Sequence, residues 1–150
     1  INLLLDGTEV SDAAAVGQLD AREHCATFWV GGIAATGNFT LGAMPACIIT
    51  KAVLVSDTAT TGSDGTNNYT FELYNVTEGA ALVGSPKTTN GADIAAATAY
   101  DLGTLTVGRE DIARLDVLRL NVVKNAAPTA LTTARVQVSI YYTVTSSNPA

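Results

Sequence analysis

The sequence predicts an all-β fold: an antiparallel eight-stranded β-sandwich, jelly-roll-like, preceded by an extended N-terminal arm. Three observations lead there. Short apolar runs with period-two alternation recur from residue 27 onward, bounded by Gly, Pro, Asn, Asp or Thr. No stretch sustains a helical period, so crossover helices for an α/β fold are missing. Runs with one wet and one apolar face need two sheets packed face to face or a closed barrel. Eight such runs favour a jelly roll over the seven-stranded immunoglobulin plan.

Residues 1–25, "INLLLDGTEVSDAAAVGQLDAREHC", hold five of the fourteen acids (Asp6, Glu9, Asp12, Asp20, Glu23) and one basic residue, Arg22. They keep no period and read as an arm. Its apolar head, with Ile1, Leu3, Leu4 and Leu5, can pair as a strand with a neighbouring subunit. A short helix near 12–18 is weakened by Gly17. The β-sandwich domain then spans 26–146, and 147–150 is a C-terminal tail. Strands are expected at 27–33, 39–42, 47–56, 68–77, 98–107, 115–124 and 133–144, with an edge strand at 80–87 limited by Pro86, which has no ladder donor. One helical turn is expected at 109–113.

Alternation assigns the faces. Val136, Val138, Ile140, Tyr142 and Val144 alternate with Arg135, Gln137, Ser139, Tyr141 and Thr143. Tyr69, Phe71 and Leu73 oppose Thr70 and Glu72, and Leu118, Leu120 and Val122 oppose Arg119, Asn121 and Val123. Val53 and Val55 are taken as the core residues of 47–56. Between these strands, "SDTATTGSDGTNN" (56–68) is a polar loop in which Gly62, Gly65 and Asn67 are expected to supply positive-φ positions and Asx-turns.

Composition removes several function classes. The 150 residues suit one domain with a sizeable core, and charged residues are only 15%, below the roughly 25% of ordinary soluble domains. Such a surface must be covered by Thr, Ser and Asn or by other subunits. A net charge of −6 with eight basic residues argues against nucleic acid, whose phosphates need clustered Lys and Arg. Arg109, Arg114 and Arg119 share a segment with Glu110, Asp111 and Asp116, which predicts a salt-bridged surface. No apolar run approaches the roughly 20 residues of a membrane helix, and "INLLL" is too short, and lacks the basic flank, for a signal-peptide core.

Catalytic sets are absent from the sequence pattern. His24 is the sole histidine, and on a strand its neighbour Cys25 points to the opposite side, which disfavours both a metal site and a Cys–His nucleophile pair. Glu72 and Glu78 carry no spacing that sets two acids across a cleft. "GSDGTNN" lacks the Lys and following helix of a phosphate loop, and Asp57 and Asp64 do not fit an EF-hand, which leaves loop carbonyls with Asp64 and Asn67 as the one alternative for calcium. Cys25 and Cys47 suit a disulfide and separate burial equally. Three N-x-[ST] sequons, at Asn38, Asn68 and Asn75, are read as chance matches. Among the aromatics, Trp29 and Tyr141 are the two placed to stay outside, as contact residues. No enzyme, cofactor or metal is therefore expected.

"ITKAVLVSDTATTGSDGTNNYTFELYNVTEG", then "YDLGTLTVGREDIARLDVLRLNVV" and a closing "ARVQVSIYYTV" resemble small β-rich structural proteins of tailed bacteriophages, the head decoration (cement) and head-fibre proteins. The resemblance covers roughly residues 27–144 and leaves the acidic arm unmatched. It implies a non-enzymatic virion protein on the capsid exterior, a homotrimer that binds the major capsid protein and stabilises the lattice. The arm, Trp29 and Tyr141 would supply contacts to the capsid or to a neighbouring copy. Two other classes fit the same residues. One is an extracellular filament or pilus subunit completed by a donated N-terminal strand. The other is a carbohydrate-binding module that takes a surface glycan at Trp29.

Overall fold

The computed structural model describes residues 3–5, 8–10, 22–61, 63–128, 131 and 134–145. The described residues are all-β, without a helix. Twelve strands form: β1 (Leu3–Leu5), β2 (Thr8–Val10), β3 (Glu23–Trp29), β4 (Gly37–Ala43), β5 (Cys47–Ser56), β6 (Asn68–Asn75), β7 (Ala80–Ala81), β8 (Lys87–Thr88), β9 (Tyr100–Asp101), β10 (Asp111–Ile112), β11 (Val117–Asn125) and β12 (Val136–Val144).

Two five-stranded antiparallel sheets carry the core. The first runs β10-β5-β12-β3 with β9 also on β5, and the second runs β4-β11-β6-β7 with β8 also on β6. β12 occupies one edge of β5 along its length. The other edge is shared end to end by β10, at Cys47 and Ile48, and β9, at Val53 and Leu54. In the same way, β8 and β7 divide the outer edge of β6. On the opposite flank, among the described residues, β3 pairs only with β12 and β4 only with β11.

The core follows the alternation read from three strands. Tyr69, Phe71 and Leu73 meet Leu118, Leu120 and Val122 and Val136, Val138 and Ile140, all essentially without solvent contact. Phe71 meets the Tyr100 ring edge-on at 6.1 Å, a favoured aromatic arrangement. β5 departs from the expected phase. The register slips between Tyr141 and Tyr142, which face Lys51 and Ile49, and leaves Thr50 unpaired as a β-bulge. Cys47 and Ile49 therefore face in before the bulge, and Ala52 and Leu54 after it. Val53 and Val55 pair with Ser139 and Gln137 on the outer face; Val53 is covered there and Val55 half-buried.

Other elements differ from expectation for traceable reasons. β3 begins at Glu23 because β12 offers ladder partners as far as Thr143. The run 80–87 is interrupted into β7 and β8, and 98–107 keeps only β9 and a bridge from Val83 to Leu105. The expected turn of helix at 109–113 is instead β10, held by Ile49 N donating to Glu110 O at 2.9 Å. Among the described residues, Arg119 makes no ion pair with the acids near it. Its guanidinium lies 4.7 Å from the Tyr74 ring centre and its Nε donates to Asn121 Oδ1 at 2.6 Å, while Asp116 is buried elsewhere. The helix weighed at 12–18 falls outside the described residues.

Candidate functional site

The loop most rich in Asp, Asn and Thr is consumed by its own backbone. Asp64 Oδ1 accepts from Thr66 N at 2.8 Å and Asn67 N at 2.7 Å. Those N–H groups hold the fully exposed Asp64 carboxyl below its ordinary range, because they bind the charged form. Thr60 Oγ1 donates to Asp93 Oδ1 at 3.0 Å and accepts from Ile94 N at 2.8 Å, tying the loop to the chain after β8. Gly65 and Asn67 have no positive φ, contrary to expectation; the Asx-turn on Asp64 does the turning, and Gly62 lies outside the described residues.

The residues weighed for chemistry separate in the same way. His24 stacks on Tyr142 at 5.5 Å and Cys25 pairs with Tyr141, so the neighbours do face opposite sides. Cys25 is exposed and Cys47 buried, both as free thiols. Burial, followed by the charges of Asp111 and Asp116, pushes the Cys47 thiol up to about 11. Glu72 accepts from Asn121 Nδ2 at 3.0 Å and joins the Arg119–Asn121 ladder on the outer face of the second sheet. Among the described residues no three His, Cys, Asp or Glu side chains gather as a metal site would need. Of the sequons, Asn68 and Asn75 are buried and hydrogen-bonded, which closes both to a glycan in the folded protein.

Two surfaces stand out. The first is the β3/β4 flank, where both sheets end in a free strand. Its inward side chains, Ala26, Phe28, Val30, Phe39, Leu41 and Tyr142, pack on the core but remain partly exposed. Phe28 lies so close to Gly42 that a Cβ there would meet its ring at 3.0 Å. Among the described residues, the main-chain groups pointing away from β12 and β11 have no strand to bond. The second surface is the outer face of the first sheet, where Trp29, Gln137 and Val55 share one row. Trp29 is 69% exposed beside a pocket of about 290 Å³ also lined by Val55, Ser56, Asp57, Ala97, Arg135 and Gln137. A wider depression of about 660 Å³ holds Lys51 and Asp101 at 4.0 Å, with Lys87 on its wall.

Of the contact residues expected from sequence, Trp29 and Tyr141 lie on this same outer face, two rows apart along β12. Leu3, Leu4 and Leu5 form β1, which pairs with Val10, Glu9 and Thr8 as a two-stranded sheet of its own; Ile1 lies outside the described residues. The signal for that hairpin was Asp6-Gly7 between the two runs, a dipeptide suited to a two-residue hairpin turn. Alternation puts Arg135 and Gln137 on the outward face and Asp57 at the start of the polar loop, but only the pairing of β12 with β3 and β5 brings them beside Trp29.

No family model matches the chain. No curated protein matches it. Among solved structures, the chain is similar over 86% of its length to a chain in the structure of infectious bursal disease virus, Gx strain, with 14% identity, a TM-score of 0.38 and 33% of that chain covered.

Proposed function

We propose that this chain is a structural virion protein, a decoration (cement) protein that binds the outer surface of a phage head and stabilises the capsid lattice. Its partners are the major capsid protein and copies of itself, as a homotrimer. The observation that carries this reading is the β3/β4 flank. Two neighbouring strands with unpaired main-chain edges and half-covered apolar side chains are a template for another chain. Low overall charge suits a protein that buries several faces.

The finer fold reading belongs with it. Taking β7 with β8, and β9 with β10, as interrupted single positions gives eight strands in the orders β3-β12-β5-β9/β10 and β4-β11-β6-β7/β8. We read this order as a jelly roll, an architecture recurrent in viral capsid and lectin domains. Fold alone does not set function, so the test is assembly.

Val30 N donates to Val136 O at 2.8 Å, so by antiparallel alternation the Thr27 N–H points to the free edge. Thr27→Pro removes that donor without removing a ladder bond, a position where an edge strand tolerates proline. Thr27→Val removes only the hydroxyl contacts, to Ser139 Oγ and Cys25 Sγ, and serves as the control. Co-sedimentation with purified heads is expected to fall at least roughly tenfold for Thr27→Pro and to persist for Thr27→Val. Unchanged head occupancy of folded Thr27→Pro protein would remove the flank from the interface.

A further inference from the structure

We propose that the pocket beside Trp29 is a binding site for a neutral hexopyranose at the end of a saccharide chain. The proposal uses the outward side chain of Trp29, on the edge strand β3, whereas the assembly reading rests on the unpaired main chain of that strand. The row Trp29–Gln137–Val55 fixes an aromatic face, an amide and an apolar floor on adjacent strands. Strand backbones hold them without a ligand, so little order is lost on binding. At about 290 Å³ the pocket falls just below the roughly 300–1,000 Å³ typical of ligand sites, room for one ring.

The chemistry of the wall selects the ligand. Trp29 turns an electron-rich ring toward solvent, matched to the polarised C–H face of a sugar ring. The Trp29 indole N–H, the Arg135 guanidinium and the Gln137 amide have no hydrogen-bond partner among the described residues. Asp57 uses Oδ1 to accept from Arg135 N at 2.8 Å and Thr58 Oγ1 at 3.1 Å, which leaves Oδ2 as an acceptor. Donors and an acceptor around one aromatic face suit vicinal hydroxyls, each of which both donates and accepts. A purely apolar ligand would leave these groups unpaired on closure. An anionic one would meet Asp57 and a chain of net charge −6. Ala97, on the same wall, holds a left-handed φ of 53°, and its N–H donates to Ser56 O at 2.7 Å. Such an outlier for a residue with a Cβ is concentrated at binding sites.

Trp29 is the sole tryptophan, so its emission reports this pocket alone. The full chain is titrated with the methyl pyranosides of glucose, galactose and mannose, with glucuronate as the charged comparator. A saturable emission change is expected for at least one neutral sugar, with Kd on the order of 1 mM. Gln137→Ala and Arg135→Ala are expected to weaken it roughly tenfold or more with unchanged melting. The proposal is overturned by a flat titration with all three neutral sugars, or by tighter binding of glucuronate. It is also overturned if, without sugar, rising protein concentration shifts Trp29 emission to the blue together with a doubled mass, which would make a second copy the occupant.

Discussion

Asp116 and Asn75 tie the turn before β11 to the end of β6, and their removal has a calculable cost. Asp116 is 4% exposed, and its Oδ2 accepts from Asn75 Nδ2 at 2.8 Å and Ala113 N at 3.1 Å. Asn75, fully buried, uses its own oxygen to accept from Thr77 N and Glu78 N. Asp116→Ala leaves the Asn75 amide buried without a partner, worth about 1–3 kcal/mol, whereas the exposed Ala113 N–H recovers water. The sum is about 1–3 kcal/mol, or a Tm lowered by about 2–12 °C for a domain of this size. Asp116→Asn keeps an oxygen where both bonds converge and is expected to cost less than about 1 kcal/mol. Urea unfolding of both variants should show unequal midpoints with an unchanged slope. Equal losses for Ala and Asn would mean that charge, not the shared acceptor, matters, and a loss below about 0.5 kcal/mol for Ala would refute the reasoning altogether.

Iodoacetamide is expected to label Cys25 in the native protein and Cys47 only on unfolding, read by peptide mass; native labelling of Cys47 at neutral pH would contradict its burial. Burial raises the Cys47 thiol from 9.0 to about 11 and the Tyr100 phenol from 10.0 to about 12. The folded state keeps protons that the unfolded chain releases, so stability is full below pH 9 and falls from there to about pH 12. Cys47 contributes up to ~2–3 kcal/mol of that fall and part-exposed Tyr100 less, and Cys47→Ala should flatten it in alkaline melts. Asp64 has the opposite sign: its depressed carboxyl supports the loop above the ordinary aspartate range and releases it as pH drops, seen as faster amide exchange at Thr66 and Asn67. Leu120→Ala in the centre of β11 should cost about 2–5 kcal/mol by denaturant unfolding, with a smaller effect pointing to a collapsed cavity.

Much of the architecture was legible because burial and strand period agree. β6, β11 and β12 each pack one face on the other sheet, so every second residue is apolar and the pattern gives both element and phase. β5 hid its phase because a bulge at Thr50 shifts the alternation by one, and nothing local in "IITKAVLV" marks where the extra residue falls. The interruption of 80–87 and 98–107 was illegible for another reason. These segments lie at sheet edges, where side-chain burial is incomplete and main-chain pairing decides the strand. Trp29 was visible as an outward aromatic, but its neighbours Asp57, Arg135 and Gln137 come from sequence positions brought together only by the ladder.

The two flanks of the sandwich have unequal valency. At one, β7 to β10 are two-residue strands, too short to seed another chain, so growth stops there. At the other, β3 and β4 each present seven residues of open edge. If two such flanks pair with each other about a two-fold axis, both are used up and the assembly ends as a dimer. A ring of three, or a filament, must instead insert a different surface of the neighbour into the open flank. Under the assembly proposed above, the hairpin β1–β2, a two-stranded ribbon with no further strand paired to it among the described residues, would serve as that plug. The stoichiometry of the assembled protein thus reports which edge meets which.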